Sequence, residues 1–291
     1  MGLGIKVIHL ALELYKNNYI KDLESVIDMG DQDLHADYNL LSKELNFLNK
    51  NELEKRFARS KFFPERPRVS SSVFWHSLGF KICDRLDIDK TDREKNDICD
   101  NFLQMDLNYP LENQVKEHKK YDLVTDFGNN EHPFDVAETY KTMHKLCKKS
   151  GLMLIHQNIY GGNGFYNFDV SVFESIAAVN NYSILYSAYT VDIKNKYFSL
   201  PIDKDLLNTV DFSKTGELGV FYLFKKNEDN NFIVPYQGLG KSLENEEYFS
   251  NVINKDNLMP SRTYLPMSFE KLSGKMLLKF LLKKIKSKII K

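Results

Sequence analysis

The chain reads Ser25-Val26-Ile27-Asp28-Met29-Gly30-Asp31-Gln32-Asp33 at the point where an apolar run meets an acidic turn. A short apolar run that ends in Asp and Gly is typical of a buried strand entering a turn. Upstream of it, apolar side chains recur at helical intervals between Ile5 and Tyr19. This spacing predicts a helix that packs against the strand.

Further strands are predicted downstream, each separated by a connection or a helical pattern. They cover residues 80–88, 101–105, 121–125 and 152–156. A helix is predicted over residues 134–149, where a basic last turn followed by Gly151 indicates the helix end. Strands that alternate with helices predict an α/β fold, a Rossmann-like doubly wound and mostly parallel sheet with helices on both faces. Residues 182–191 and 218–224 would add antiparallel strands, one of them at the edge of the sheet.

We expect one main domain with appended segments. Residues 1–225 form this domain, with an insertion between strands 1 and 2 at about 36–76 that is long enough to be a lid or a substrate wall. Residues 226–270 are polar and rich in Pro and Gly, which predicts loops. Residues 271–291 are predicted to form a basic amphipathic helix.

Composition excludes several classes of protein. Of the 291 residues, 42% are hydrophobic and 27% are charged, as in soluble globular proteins, and no apolar run approaches the ~20 residues that span a bilayer. No cleavage site follows the N-terminal apolar patch, so we expect a cytoplasmic protein. Residues 271–291 hold eight Lys and no acid, which leaves 32 basic against 40 acidic residues elsewhere. Such an acidic body disfavours nucleic-acid binding.

The C-terminal segment has two faces. Lys residues repeat at helical spacing from Lys271 to Lys286, and Leu and Ile fill another face. This pattern indicates either an element that binds a membrane surface or a partner, or a helix docked on the acidic body. Peripheral attachment to the inner face of the membrane is therefore one expected location.

Acidic residues follow three successive predicted strands. These residues are Asp28, Asp87 and Asp106. In parallel sheets ligands bind beyond the carboxyl ends of the strands, so we expect the three to border a ligand site. The turn after the first strand adds Asp31 and Asp33, which would repel a pyrophosphate; capping of a following helix would explain these acids equally well.

This order of strands, acids and glycine resembles that of class I S-adenosylmethionine-dependent methyltransferases, in particular bacterial glycan-pathway and small-molecule enzymes. The resemblance covers roughly Ser25 to Gln157. Only Asp28 and Gly30 match the family's first motif, because Asp31, Gln32 and Asp33 stand where glycine or small residues are frequent. S-Adenosylmethionine carries no phosphate and has a cationic ammonium and sulfonium, so an acidic turn suits it better than a dinucleotide.

The resemblance implies cofactor-binding roles for seven residues. Asp87 would accept hydrogen bonds from the ribose hydroxyls, with Asp89 as the alternative, and Asp106 with Leu107 would contact the adenine. The remaining cofactor residues are Asp28, Gly30, Asp31 and Asp126.

The segment Thr125–His132 would lie between cofactor and acceptor. Glu131 would contact the substrate, and His132 would act as the base, although a residue at a helix start before Pro133 needs no catalytic role. His156 is a second candidate base, but a His flanked by apolar residues is more often structural.

After the fifth strand, residues 161–168 join glycines to aromatic residues. The segment resembles one found in uncharacterised bacterial methyltransferases. Phe165 and Tyr166 are predicted to form a platform for a sugar or another ring of the substrate, unless they pack into the core.

Other chemistries lack their motifs. Cys83, Cys99 and Cys147 have no metal or disulfide spacing, so no metal is expected. A phosphate loop at Gly240-Lys241-Ser242 would need a glycine where Pro235 stands. The sequence therefore predicts methyl transfer, with oxygen of a saccharide or another small hydroxylated molecule as acceptor. The alternatives are a non-catalytic Rossmann-type binding or scaffold domain and, less favoured by the acidic turn, a NAD(P)-dependent oxidoreductase.

Overall fold

The structure, a computed structural model, describes residues 2–35, 38–44, 69–89, 101–193, 196–203 and 217–236. The strands there are β1 (Gly2–Leu3), β2 (Ser25–Met29), β3 (Asp33–Leu34), β4 (Val69–Ser70), β5 (Ile82–Asp87), β6 (Phe102–Gln104), β7 (Tyr121–Phe127), β8 (Cys147–Tyr160), β9 (Tyr182–Ile193), β10 (Lys196–Leu200) and β11 (Leu218–Lys226). The helices are α1 (Ile5–Lys16), α2 (Tyr38–Glu44), α3 (Ser71–Ser77), α4 (Leu111–Gln114), α5 (Val136–Leu146) and α6 (Val170–Val179).

Eight strands form the main sheet in the order β10-β9-β11-β8-β7-β2-β5-β6. The five strands from β8 to β6 are parallel to one another, while β11 is antiparallel to both β8 and β9, and β10 is an antiparallel edge. The predicted Rossmann-like sheet, mostly parallel with an antiparallel edge, is confirmed.

The winding of the chain defines one crevice. From β2 the sheet grows through β5 to β6 on one side, and β7 and β8 lie on the other side. The connections that leave β2 and β7 therefore diverge to opposite sides of the sheet. In open α/β sheets this switch point is where ligands bind, at the carboxyl ends of the strands.

Helices cover both faces, as predicted. Successive side chains of β2 pack into the two cores on opposite faces of the sheet. Val26 packs with α1 and α3, whereas Ile27 packs with α5 and α6. This is the two-residue period of a strand buried on both sides, and it explains why the central strands read as continuous apolar runs.

A second, three-stranded sheet holds the acidic turn. In it β3 pairs in parallel with β1 and antiparallel with β4. The chain at Gly2 approaches so closely that a Cβ there would lie 2.0 Å from the Asp33 carbonyl oxygen. Asp33 is therefore part of a strand rather than the cap of a following helix. Of the predicted insertion at 36–76, residues 36–37 and 45–68 lie outside the described ranges.

The predicted end of the helix over 134–149 is wrong. Helix α5 begins after Asp135, whose carboxylate accepts from the Glu138 N–H at 2.9 Å, and it ends at Leu146, so that β8 starts before Gly151. The helix stops because Lys226, on the distant strand β11, donates its ammonium to the Cys147 carbonyl oxygen at 3.1 Å. Local sequence carries no trace of this contact.

Three predicted features cannot be compared with the structure. The predicted helix over 271–291 lies outside the described residues, as do Cys99 and the part of the predicted loop region that follows residue 236. The contact of 271–291 with a membrane surface stays a prediction. Within the described ranges, no helix has the length and apolar character to cross a bilayer.

Lys226 is fully buried and donates hydrogen bonds to backbone carbonyl groups at the C-terminal end of α5. Besides Cys147, its ammonium donates to the His144 carbonyl oxygen at 2.8 Å and to Asp229 Oδ1 at 2.8 Å. Asp229 also pairs with Lys120, which is largely exposed. Both lysines pair with Asp229 but differ in burial, so a substitution of Lys120 can serve as the control for one of Lys226.

We expect Lys226→Met to lower the free energy of unfolding by about 2–3 kcal/mol, because two buried carbonyl groups lose a charged donor. Lys120→Met should cost less than about 1 kcal/mol, since it breaks an exposed ion pair. Urea denaturation of both variants measures the difference. Equal losses would show that Lys226 does not hold the helix end.

Candidate functional site

The turn after β2 has a fixed backbone. Gly30 has φ +83°, and a Cβ there would lie 2.6 Å from Asn129 Oδ1 in the loop after β7, so both conformation and space require glycine. The Asp31 N–H donates to Asp87 Oδ2 at 2.7 Å, and its carboxylate lies 3.0 Å from the buried Arg85 guanidinium. The turn, β5 and the β7 loop are thereby held together.

Asp28 is buried and bound by three neighbouring side chains. Its buried carboxylate accepts from the Ser71 hydroxyl, from Trp75 Nε1 at 3.1 Å and from the Thr125 hydroxyl. Burial raises the pKa of Asp28 to about 6. The carboxylate thereby joins β2, β7 and α3, and a contact of Asp28 with a cofactor stays a prediction.

The ends of β5 and β6 present two half-buried carboxylates. Asp87 accepts from the backbone N–H groups of Asp31 and Ile88, each at 2.7 Å, with one bond to each oxygen. Each of these oxygens has a further lone pair for a ligand donor. Asp106 Oδ1 accepts from the backbone and side chain of Asn108, and Leu107 is buried in the core beneath.

Asp126 organises the loop that follows β7. Its carboxylate is fully buried and accepts from the backbone N–H of Asn129 at 2.9 Å, from that of Asn130 at 3.3 Å and from the Gln157 side-chain amide. Burial raises the pKa of Asp126 to about 7, and the charge of Glu131 contributes in the same direction. A cofactor would therefore meet the loop that Asp126 shapes rather than an open carboxylate.

Glu131 and His132 lie where the loops after β7 and β8 meet. The Glu131 carboxylate is buried, 3.3 Å from Asn158 Nδ2 and 3.8 Å from His132 Nε2. Burial raises the pKa of Glu131 and lowers that of His132, whose ring is partly exposed. The structure thus brings these two predicted residues together, with His132 favoured in its neutral form.

The loop after β8 is attached to Glu131. The Glu131 carbonyl oxygen accepts from the Phe165 N–H at 2.8 Å, and the Tyr166 hydroxyl donates to the Phe134 carbonyl oxygen at 2.8 Å. Phe165 is 73% exposed and meets the exposed ring of Phe134 edge to face at 6.3 Å, whereas Tyr166 packs against the core. Of the predicted platform, only Phe165 presents an open face.

His156 is apart from these groups. It is buried between β8 and its neighbours, its Nε2 lies 3.1 Å from the Thr190 hydroxyl, and its ring centroid lies 4.5 Å from that of Phe221. Burial lowers the pKa of His156 well below its ordinary value. These contacts do not fit a catalytic base, and they match the structural alternative.

Sequence reasoning missed a group of neutral amides. Among the described residues, the buried amide atoms at this edge without a hydrogen-bond partner include Gln32 Oε1, Asn129 Nδ2, Gln157 Oε1 and Asn158 Oδ1. Unpaired buried polar atoms are costly, so a ligand that pairs with several of them would be stabilised here. Three acceptors and one donor match the ammonium and carboxylate of an amino-acid moiety. The only signal in the sequence was the position of these residues just after strands.

Asp126→Asn tests the buried charge. Because the folded pKa of about 7 exceeds the unfolded value, the acid favours folding at low pH and loses this contribution as pH rises through 7. The variant should therefore gain stability relative to wild type as the pH rises from 5 to 8, by up to about 2–3 kcal/mol. Urea denaturation across this range measures it. A difference that does not change with pH would contradict the assignment.

Gly164→Ala tests the attachment of the two loops. A Cβ at residue 164 would lie 2.5 Å from the Glu131 carbonyl oxygen, so the backbone must move and the free energy of unfolding should fall by about 1–3 kcal/mol. Gly4→Ala is the control, since a Cβ there meets nothing within 4 Å and the cost should stay within about 1 kcal/mol. If both variants unfold alike, the loops are not tightly packed.

The sequence matches no family model and no curated protein. Its fold is similar to that of YcgJ from Bacillus subtilis, with 11% identity, coverage of 76% of this chain and 99% of the other, and a TM-score of 0.43. It is also similar to 1,6-didemethyltoxoflavin-N1-methyltransferase from Burkholderia thailandensis, with 10% identity, coverage of 77% and 80%, and a TM-score of 0.44. TehB from Haemophilus influenzae gives 11% identity, coverage of 74% and 61%, and a TM-score of 0.38. Likenesses this distant do not transfer a reaction, so function is argued from the site.

Proposed function

We propose that this protein transfers a methyl group from S-adenosylmethionine to a small acceptor. The observation that carries the proposal is the turn after β2, where the Asp31 N–H is bound by Asp87 and the Asp31 carboxylate is bound by Arg85. A phosphate site needs free N–H groups at a helix start. The N–H group of this turn is instead occupied, and beside it lie the half-buried Asp87 carboxylate and unpaired amide oxygens, which suits a ligand without phosphate that brings hydroxyl and ammonium donors.

The residues fit the parts of that cofactor. Asp87 has lone pairs for the two hydroxyls of a ribose. Gln32 Oε1 and Gln157 Oε1 can accept from an ammonium, and Asn129 Nδ2 can donate to a carboxylate. When bound, the cofactor would supply an electrophilic methyl group on its sulfonium.

For the acceptor we propose a hydroxyl group of a saccharide or another small molecule. His132 is favoured as neutral imidazole and is partly exposed, so it can take the hydroxyl proton. Glu131, 3.8 Å away, would stabilise the resulting imidazolium. The exposed ring of Phe165 would support the acceptor, and positioning supplies much of the rate of such a displacement.

We also propose, from the sequence, that the reaction takes place in the cytoplasm. The sequence likewise supports a membrane-surface contact through residues 271–291 and a role in envelope glycan assembly. The alternative is a scaffold domain without catalysis, and a measurement of cofactor binding distinguishes it from the methyltransferase.

Isothermal titration calorimetry with S-adenosylmethionine, S-adenosylhomocysteine and NAD tests the proposal. We expect the first two to bind and NAD not to bind. Asp87→Ala should raise the Kd of S-adenosylhomocysteine by about 10- to 100-fold, because charge-assisted hydrogen bonds are lost.

Asp89→Ala is the matched control and should leave the Kd unchanged, since Asp89 is exposed two residues farther along. If neither sulfur compound binds, the proposal fails. If Asp89→Ala weakens binding and Asp87→Ala does not, the ribose contact belongs to Asp89.

A further inference from the structure

Among the described residues, Glu131 is a buried carboxylate whose ion-pair partner is His132, 3.8 Å away and favoured in its neutral form. Its side chain is 1% exposed. The donors around it are neutral: the Asn158 side-chain amide at 3.3–3.4 Å and the backbone N–H groups of Asn158 and Gly164. The negative charge of Glu217, another acid, further raises the pKa of Glu131. Burying an ionised group in this way is costly unless a cation joins it.

Next to this carboxylate lie acceptors that also lack a donor. Asn158 donates to Glu131 through Nδ2, and the Oδ1 of the same amide group has no hydrogen-bond partner among the described residues. The neighbouring Gln157 is fully buried, and its Oε1 is also unpaired. The side-chain oxygens of Glu131, Asn158 and Gln157 could therefore all accept a hydrogen bond from a ligand that carries donors.

Glycine keeps side-chain atoms away from the carboxylate. A Cβ at Gly162 would lie 3.2 Å from Glu131 Oε2, so any larger residue would crowd the oxygen. Phe134 and Phe165, 77% and 73% exposed, flank the same two loops. The buried carboxylate and the two exposed aromatic rings therefore belong to the same pair of loops.

We propose that Glu131, with the Asn158 side-chain oxygen, binds a protonated amine of the acceptor molecule. An ammonium brings three donors and one positive charge, which meets both the carboxylate and the unpaired oxygen. An anionic group would be repelled. The acceptor class is then a small hydroxylated molecule that also carries an amine, of which an amino sugar is one example. The acceptor role rests on the proposed methyl transfer, whereas the amine site itself does not.

Two probes of equal size test the amine site on the whole protein. Benzylamine is protonated at neutral pH, and benzyl alcohol has the same ring without the charge. With dissociation constants measured by ligand-observed NMR and no nucleoside added, we expect wild type to bind benzylamine at least about tenfold more tightly. Equal binding of the two probes by wild type would overturn the proposal, with no variant needed.

Glu131→Gln, which is nearly isosteric, should abolish the preference for benzylamine while binding of benzyl alcohol stays within about twofold. Glu117→Gln removes the same charge from an exposed residue before β7, away from the carboxyl ends of the strands, and should keep the preference. A preference that survives Glu131→Gln would assign the amine to another site. S-Adenosylhomocysteine binding is measured separately, so the failure of one proposal leaves the other standing.

Discussion

The carboxylate of Asp28 holds together the elements on which the crevice depends. It lies inside β2 and accepts from Thr125 on β7 and from Ser71 and Trp75 on α3. An acid in this position costs desolvation energy, and the three donors offset that cost only while strand, neighbour strand and helix keep their places. The turn that begins two residues later therefore starts from a fixed point. The positions of Gly30 and Asp31 are therefore fixed by β2, and Asn129 in the loop after β7 packs against Gly30.

The fold could be predicted because its signals are local and repetitive. Apolar runs mark β2, β7 and β8, and helical spacing marks the helices that cover the sheet. The end of α5 could not be predicted in this way. It depends on Lys226, which is 80 residues away in sequence from Leu146, and no composition rule near Gly151 encodes that contact. Antiparallel insertion of β11 between β8 and β9 is likewise a long-range pairing.

The candidate site was predicted less well than the fold, for a physical reason. Position after a strand identified Asp87 and Glu131, because ligand groups collect at one edge of a parallel sheet. Whether an acid is open to a ligand or occupied by the protein depends on side chains that arrive from elsewhere, as with Asp126 and its donor Gln157. Neutral amides such as Asn129 carry no charge pattern and no spacing rule. They stand out only when burial and hydrogen bonds are known.

The small sheet gives the N-terminal end of the described chain an unexpected neighbour. Because β1 pairs with β3, Gly2 lies against the residue that closes the acidic turn. Anything attached before Gly2 would therefore leave the fold beside the crevice rather than on a distant surface. An affinity tag placed there would start next to the acidic turn.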